Sequence, residues 1–464
     1  MRGPFRNSDF RRLFAGRVVT NVGDSLYFVA AMWLVYDLTN DPFYSGVAGF
    51  LTLAPSALQF LAGPLVDRWS IRATLTMTQV IQAIIVLAVP VASEMGALTP
   101  ELILVVMPTL SVLNQLVYPA QSAALPRLLD DEDLVAANSA FSVAYQGVDM
   151  VANALGGVTI ALIGGVALFA IDAVTFGVAA ILFVTVSVPA ASEHAGDYET
   201  PNADGTTNDT AVGDGVIAAD SRESTQGVDS NTDSRSNSDG ELRVDDSSQY
   251  VVDLLAGGRV VRGTFLVWLI IGAMAVNFTS GIALATMPAY ADLLSGESVP
   301  AVLGDAGAYG VLMGAFAAGN FVGAVAAGAV ADRRMGRLMI AGFGVSGVTW
   351  TAAILANWLP VTAALLIVAL VPAGIVNVQL AAVVQSAVPE ELVGRVSSVL
   401  GSATAASIPV GALVGGVVAS ALGPETTMLL NGVGLGGLAV YVLAVPSLRQ
   451  LPVAETVRIR RGSS

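Results

Sequence analysis

Charge interrupts this chain so rarely that most of it is committed to lipid before any motif is read. Of its 464 residues only 12% are charged and 54% are hydrophobic, whereas an ordinary soluble domain carries about a quarter charged residues. A helix crosses the roughly 30 Å hydrocarbon core of a bilayer with about 20 apolar residues, each rising about 1.5 Å. Runs of that length occur at 14–36, 43–65, 73–93, 101–122, 136–162 and 166–188, and again at 264–291, 306–331, 338–357, 361–385, 396–421 and 425–446. The expected fold is therefore an all-α integral membrane protein with twelve transmembrane helices in two pseudo-symmetric sets of six.

The net charge of −15 is concentrated between the two sets, where residues 190–250 hold 14 acids against three arginines. That stretch is rich in Asp, Ser, Thr, Asn and Gly, and it buries too little apolar surface to offset its ordering entropy. The expected organisation is a six-helix half at 1–189, an acidic disordered linker at 190–249, an amphipathic juxtamembrane helix at 250–263, a second six-helix half at 264–448 and a tail at 449–464. Loop arginines set the orientation. Arg2, Arg6, Arg11, Arg12, Arg68, Arg72, Arg127, Arg259, Arg262, Arg333, Arg334, Arg337, Arg395, Arg449, Arg458, Arg460 and Arg461 all fall on one side if both termini are cytoplasmic. The opposite loops carry Asp41, Glu94, Glu101, Asp292, Glu297, Asp305 and Glu425. The expected location is the cell membrane, multi-pass, with both termini inside.

Every basic residue is arginine and there is no cysteine. A phosphate-binding Gly-x-x-x-x-Gly-Lys-Ser/Thr loop is therefore impossible, as are thiolate metal sites and disulfides. No nucleophile–base set or metal cluster converges in the spans, so neither an enzyme nor a resident cofactor is expected.

The two halves repeat one signal between their second and third spans. The first copy reads Gly63-Pro64-Leu65-Val66-Asp67-Arg68-Trp69-Ser70-Ile71-Arg72, and the second Gly328-Ala329-Val330-Ala331-Asp332-Arg333-Arg334-Met335-Gly336-Arg337. Gly63, Asp67, Arg68 and Arg72 thus match Gly328, Asp332, Arg333 and Arg337 in spacing. An acid beside arginines at a helix end can hold a cytoplasmic gate through charge pairs. Parallel repeats of this kind build many secondary transporters.

On these motifs the chain resembles the major facilitator superfamily, and within it the efflux branch of macrolide and enterobactin exporters. Supporting segments are Phe10-Arg11-Arg12-Leu13-Phe14-Ala15-Gly16, Gly23-Asp24-Ser25-Leu26, Trp33-Leu34-Val35-Tyr36-Asp37-Leu38-Thr39, Ala136-Ala137-Asn138-Ser139, Ile171-Asp172-Ala173 and Gly394-Arg395-Val396. The resemblance implies the major facilitator fold and alternating access around a central cavity, driven by ion exchange. Two departures stand out. Asn114-Gln115-Leu116-Val117-Tyr118 lacks the span-four arginine of many proton antiporters, and Ala152-Asn153-Ala154-Leu155-Gly156-Gly157 lacks their span-five proline.

Ionisable groups inside a membrane are costly and mark function by default. Asp24, near the middle of span one, and Asp149, in span five, are the candidate proton-coupling or substrate-charge groups. Asn21 lies three residues before Asp24, while Tyr145 and Asn153 flank Asp149 at four-residue spacing and extend a polar stripe. Asp172, near the outer end of span six, is expected to pack or gate. Further cavity candidates are Asn114, Gln115, Tyr118, Asn277, Asn320, Asn377, Gln379 and Gln385, and Tyr27, Phe28 and Trp33 are candidates for an aromatic wall. All arginines are read as lying outside the spans, which suits a lipophilic neutral or cationic cargo. The expected function is proton-coupled efflux of such small molecules by a monomer in the bilayer, without nucleic acid. Sodium could replace the proton. Uptake, lipid or lysolipid flipping, and a non-transporting receptor are the alternatives.

Overall fold

The computed structural model describes residues 3–56, 69–189, 264–295, 304–388 and 390–453. The helices of the first set are α1 (Ser8–Thr39), α2 (Pro42–Leu53), α3 (Ile71–Glu94), α4 (Pro100–Leu128), α5 (Asp131–Ile163) and α6 (Gly165–Val184). Those of the second are α7 (Phe265–Leu294), α8 (Gly304–Ala326), α9 (Met335–Ala356), α10 (Leu359–Ala387), α11 (Glu390–Leu422) and α12 (Pro424–Ala444). Ten are long and apolar enough to cross a membrane. The remaining two of the twelve are α2, which has 12 residues among those described, and α5, which Asp149 and other polar residues make less apolar. The linker 190–249, the segment 250–263, the first gate motif from Gly63 to Arg68 and the tail beyond residue 453 also lie outside the described residues.

Local chemistry sets the helix ends. Asn7 caps α1, its Oδ1 accepting from the backbone N–H of Asp9 and Phe10 at 2.8 and 3.1 Å, which satisfies donors that have no partner inside the helix. Asn40 then turns the chain in a left-handed conformation at φ 52°, and the Asp41 carboxylate caps α2 by accepting from Phe43 N–H at 2.9 Å. Asp131, Glu132 and Asp133 occupy the first turn of α5, where negative charge favours the helix dipole. Two spans are interrupted where proline withdraws a donor from the i→i−4 ladder. Pro90 follows the break at Leu87 in α3, and Pro119 follows the turn at Gln115 and Leu116 in α4.

The bundle is apolar on its outside as well as its inside. Ile84, Val105, Val348 and Val433 are each more than 60% exposed, as expected of side chains solvated by acyl chains rather than water. Within it, α1 packs on α5 and α6, and α7 packs on α11 and α12. The two sets meet through α2 against α11 and α5 against α8. Each seam closes on a pair of glycines. A Cβ on Gly46 would run into the backbone of Gly416, and one on Gly157 into the backbone of Gly310. On the same side of the bundle, remote from the termini, Trp33 stacks on Tyr309 at 5.6 Å and the Tyr36 hydroxyl donates to Asp292 Oδ2 at 2.8 Å. That side is closed.

Candidate functional site

A cavity of about 940 Å³ lies between the two sets. Its two walls differ in chemistry. Among the described residues the first set contributes Asn21, Asp24, Ser25, Ser111, Asn114, Gln115 and Asp149 beside Tyr27, Phe28 and Leu53, while the second contributes Leu284, Met313, Phe316, Phe321 and Val378 with Asn320 and Asn377 as its polar side chains. Among the described residues no arginine lines it.

The two carboxylates are held differently. Asp149 is exposed to the cavity, and its Oδ1 accepts from Asn21 Nδ2 at 3.0 Å and from Ser25 Oγ at 2.6 Å. Asn21 and Ser25 lie one turn apart on α1, so α1 grips a carboxylate presented by α5. Asp24 is deeper, and its Oδ2 accepts from Asn114 Nδ2 at 3.2 Å. Asn114 closes the first half of α4 beside the interrupted turn, so the break in α4 delivers the amide to Asp24. Gln115, also at that turn, donates from Nε2 to Ser111 O at 3.1 Å. Of the three candidates for an aromatic wall, Tyr27 and Phe28 line the cavity, whereas Trp33 belongs to the closed side.

Other expected residues lie elsewhere. Asn320 reaches the cavity, although its Nδ2 donates to its own helix at Phe316 O, 2.9 Å. Asn277 is not among the lining residues and donates in the same way to Ala273 O at 2.9 Å. Gln379 is 5% exposed and donates to Ala327 O at 3.1 Å, tying α10 to the end of α8. Tyr118 is 52% exposed and is not among the lining residues. The side chains of Asn153, Gln385 and Arg395 lie outside the described residues. In the second gate motif Gly328, Asp332, Arg333 and Arg337 are exposed, as is Arg72 from the first. Among the described residues the one ion pair is Arg12 with Asp9 at 3.1 Å, and Asp332 pairs with none of them.

One expectation is corrected. Arg17 lies inside α1 and is 7% exposed. Its Nε donates to Gln121 Oε1 at 2.8 Å and to the Tyr145 hydroxyl at 3.0 Å, and its guanidinium sits 5.4 Å from the Tyr145 ring centre. The Tyr145 hydroxyl in turn donates to Gln121 Oε1. Tyr145 therefore turns away from Asp149 to hold Arg17, and the polar stripe of α5 divides between two sites. The sequence contained the signal, since position 17 falls within the 14–36 run and is the one arginine of 21 assigned neither to a loop nor to the linker. Arg17 thus reaches from α1 to α4 through Gln121. Replacing Arg17 with glutamine should cost about 2–3 kcal/mol, the scale of lost hydrogen bonds to a buried charge, and Tyr145→Phe about 1 kcal/mol. Thermal unfolding of the purified protein in detergent measures both, and equal melting of Arg17→Gln and wild type would refute the buried role.

Comparison with known proteins agrees with this architecture. Residues 2–199 match a family model described as transmembrane secretion effector, and residues 269–461 match the model of the Major Facilitator Superfamily. No curated protein matches the chain. Among solved structures, a bacterial homologue of the human lysosomal transporter Spinster, inward-facing and unoccupied, is 14% identical, with a TM-score of 0.66 over 97% of this chain and 98% of that one. The nucleoside transporter NupG is 12% identical, with a TM-score of 0.66 over 94% of this chain and 98% of its own. A bacterial homologue of the iron transporter ferroportin, inward-facing, is 16% identical, with a TM-score of 0.58 over 93% and 98%. At such identities the likeness speaks for the fold alone.

Proposed function

Matched in both halves by models of one kind, the chain belongs to the major facilitator superfamily, and we propose that it is a proton-coupled exporter of lipophilic neutral or cationic small molecules. The observation that carries this reading is the two-sided cavity. A wall with Asp24 and Asp149 faces a wall of Phe316, Phe321, Met313 and Leu284, which matches a molecule with an apolar body and a neutral or positive polar end. Asp149, open to the cavity and gripped by two donors, meets the cargo's cation or a proton. Asp24, held by Asn114 behind it, exchanges a proton. Arg17 supplies one fixed positive charge below the two acids. The protein acts as a monomer in the cell membrane, its termini in the cytoplasm, with no cofactor.

The reading is tested in membrane vesicles containing the full chain, with ethidium and a neutral macrolide as cargo probes. An imposed proton gradient should drive net movement of at least one of them, and a protonophore should collapse it. Movement driven by a sodium gradient alone would replace the proton in this scheme. Vesicles with folded protein that move neither compound under either gradient would sink it.

A further inference from the structure

One carboxyl takes no part in the cavity. Asp172 on α6 has no exposed surface and is not among the lining residues. Its Oδ1 accepts from Thr175 Oγ at 3.1 Å, and its Oδ2 has no hydrogen-bond partner among the described residues. The carboxyl sits over the backbone of α1 at Gly23, where a Cβ would collide with Asp172 Oδ1 and Thr175 Oγ1. Gly23 immediately precedes Asp24. The missing side chain thus seats one carboxyl directly behind the residue that carries the other.

Among the described residues no cation pairs with Asp172. The titratable groups that reach it from α1 are Asp24 and Tyr27. From α5, which also touches α6, the groups are Asp149 and Tyr145. The charged residues of α3, the third neighbour, are Arg72 and Glu94 near its two ends. A buried carboxylate without a partner costs several kcal/mol. Among the described residues the interior of the first set therefore holds three carboxyls, Asp24, Asp149 and Asp172, against the guanidinium of Arg17. Near-neutrality leaves room for two further positive charges.

The second half repeats the register of Asp172 without the acid. A left-handed glycine precedes both α6 and α12, Gly164 at φ 85° and ψ 153° and Gly423 at φ 86° and ψ 154°. Eight residues after these glycines stand Asp172 and Asn431. Asn431 is likewise buried, at 3% exposure, and its Oδ1 likewise lacks a partner among the described residues. The fold thus accepts an amide in this register. An amide has the shape of the acid but cannot take up and give up a proton.

We propose that Asp172 is a second proton-carrying group of the transport cycle, sealed from the cavity and loaded and unloaded through Asp24, with Asn431 its non-titrating counterpart. The O–H bond on Asp24 breaks, a new one forms on the unpartnered Oδ2 of Asp172, and Asp24 is left as the carboxylate. This internal transfer leaves the total charge unchanged. Only exchange between Asp24 and the cavity alters it. The proposal rests on proton coupling as set out above and adds to it a count, two protons stored where the cavity shows one deep acid.

The test uses the full chain in liposomes with ethidium as the cargo probe and an imposed pH difference. At steady state each coupled proton multiplies the accumulation ratio by about tenfold per unit of pH difference, since tenfold corresponds to 1.4 kcal/mol. Asp172→Asn, which reproduces in the first half the residue found in the second, should fold and melt like wild type and lose about tenfold per unit. An unchanged ratio overturns the proposal. If wild type moves no ethidium under the gradient, the exporter reading fails by itself, and a chemical measurement decides Asp172. Dicyclohexylcarbodiimide adds to protonated carboxyls in apolar surroundings, and mass spectrometry locates the adduct. Asp172 should be modified at acid pH, less at alkaline pH, and should lose that dependence in Asp24→Asn. An Asp172 that is never modified, or equally modified at every pH in wild type, overturns its role as a proton carrier.

Discussion

Gly157→Leu should abolish transport while leaving a folded protein in the membrane. Gly157 and Gly310 bring the backbones of α5 and α8 into direct contact, and no side-chain rotation makes room where the obstacle is backbone. Overpacking of this kind costs about 1–3 kcal/mol in a core that can adjust. At the upper end it shifts the balance between closed and open arrangements more than about a hundredfold. The substitution penalises only the arrangement in which the side remote from the termini is shut, so it should hold the halves apart there. The chain contains no cysteine, so a single introduced cysteine reports cleanly. Ala412 is unexposed, and its Cβ lies 3.1 Å from the position a Cβ on Gly49 would take, inside the α2–α11 seam. Ala412→Cys should resist a water-soluble maleimide in the parent and react in the Gly157→Leu background. Protection in both, with transport retained, would show that closure at this seam does not govern the cycle.

Asp149→Asn combined with Asp24→Asn should uncouple the protein without unfolding it. The amide oxygen of an asparagine at 149 can still accept from Asn21 and Ser25, whose donors now meet the carboxylate at 3.0 and 2.6 Å. Shape is preserved and charge is lost. Downhill ethidium movement should persist, while gradient-driven accumulation should fall toward unity, about tenfold per pH unit for each proton no longer carried. Ethidium accumulation in liposomes, read with and without a protonophore, checks it. Accumulation that survives the double substitution would remove both acids from the coupling scheme.

The spans were legible because lipid imposes a requirement on every stretch of twenty residues, and that requirement is written in composition alone. Asp24 and Asp149 were legible for the same reason, as isolated acids in apolar runs. The partners of polar side chains were not. Asn277 and Asn320 are alike in sequence context and both bond the carbonyl one turn back, yet only Asn320 also faces the cavity, which depends on how each helix is rotated. Tyr145 lies one turn from Asp149 on α5, but four residues overshoot a full turn by about 40°, and the side chain meets Arg17 instead. Arg17 itself was hidden by its position near a span end, where arginine is ordinarily expected to reach back to water. Asp172 was visible as an acid, but its emptiness on one oxygen and its match to Asn431 required coordinates.

The interruption of α4 has a mechanical consequence. A continuous helix resists twisting because every turn is bonded to the next, whereas α4 lacks that bond where Pro119 follows Gln115. Asn114, the residue that holds Asp24, stands at this compliant point. Around it the chain is held by the longer bonds of a turn, Gln115 N–H to Ser111 O at 3.3 Å and Leu116 N–H to Leu113 O at 3.1 Å, so the grip on the carboxyl can be released at less cost than in an unbroken helix. The span behaves as two rods joined by a soft coupling, with the coupling placed beside the deep acid.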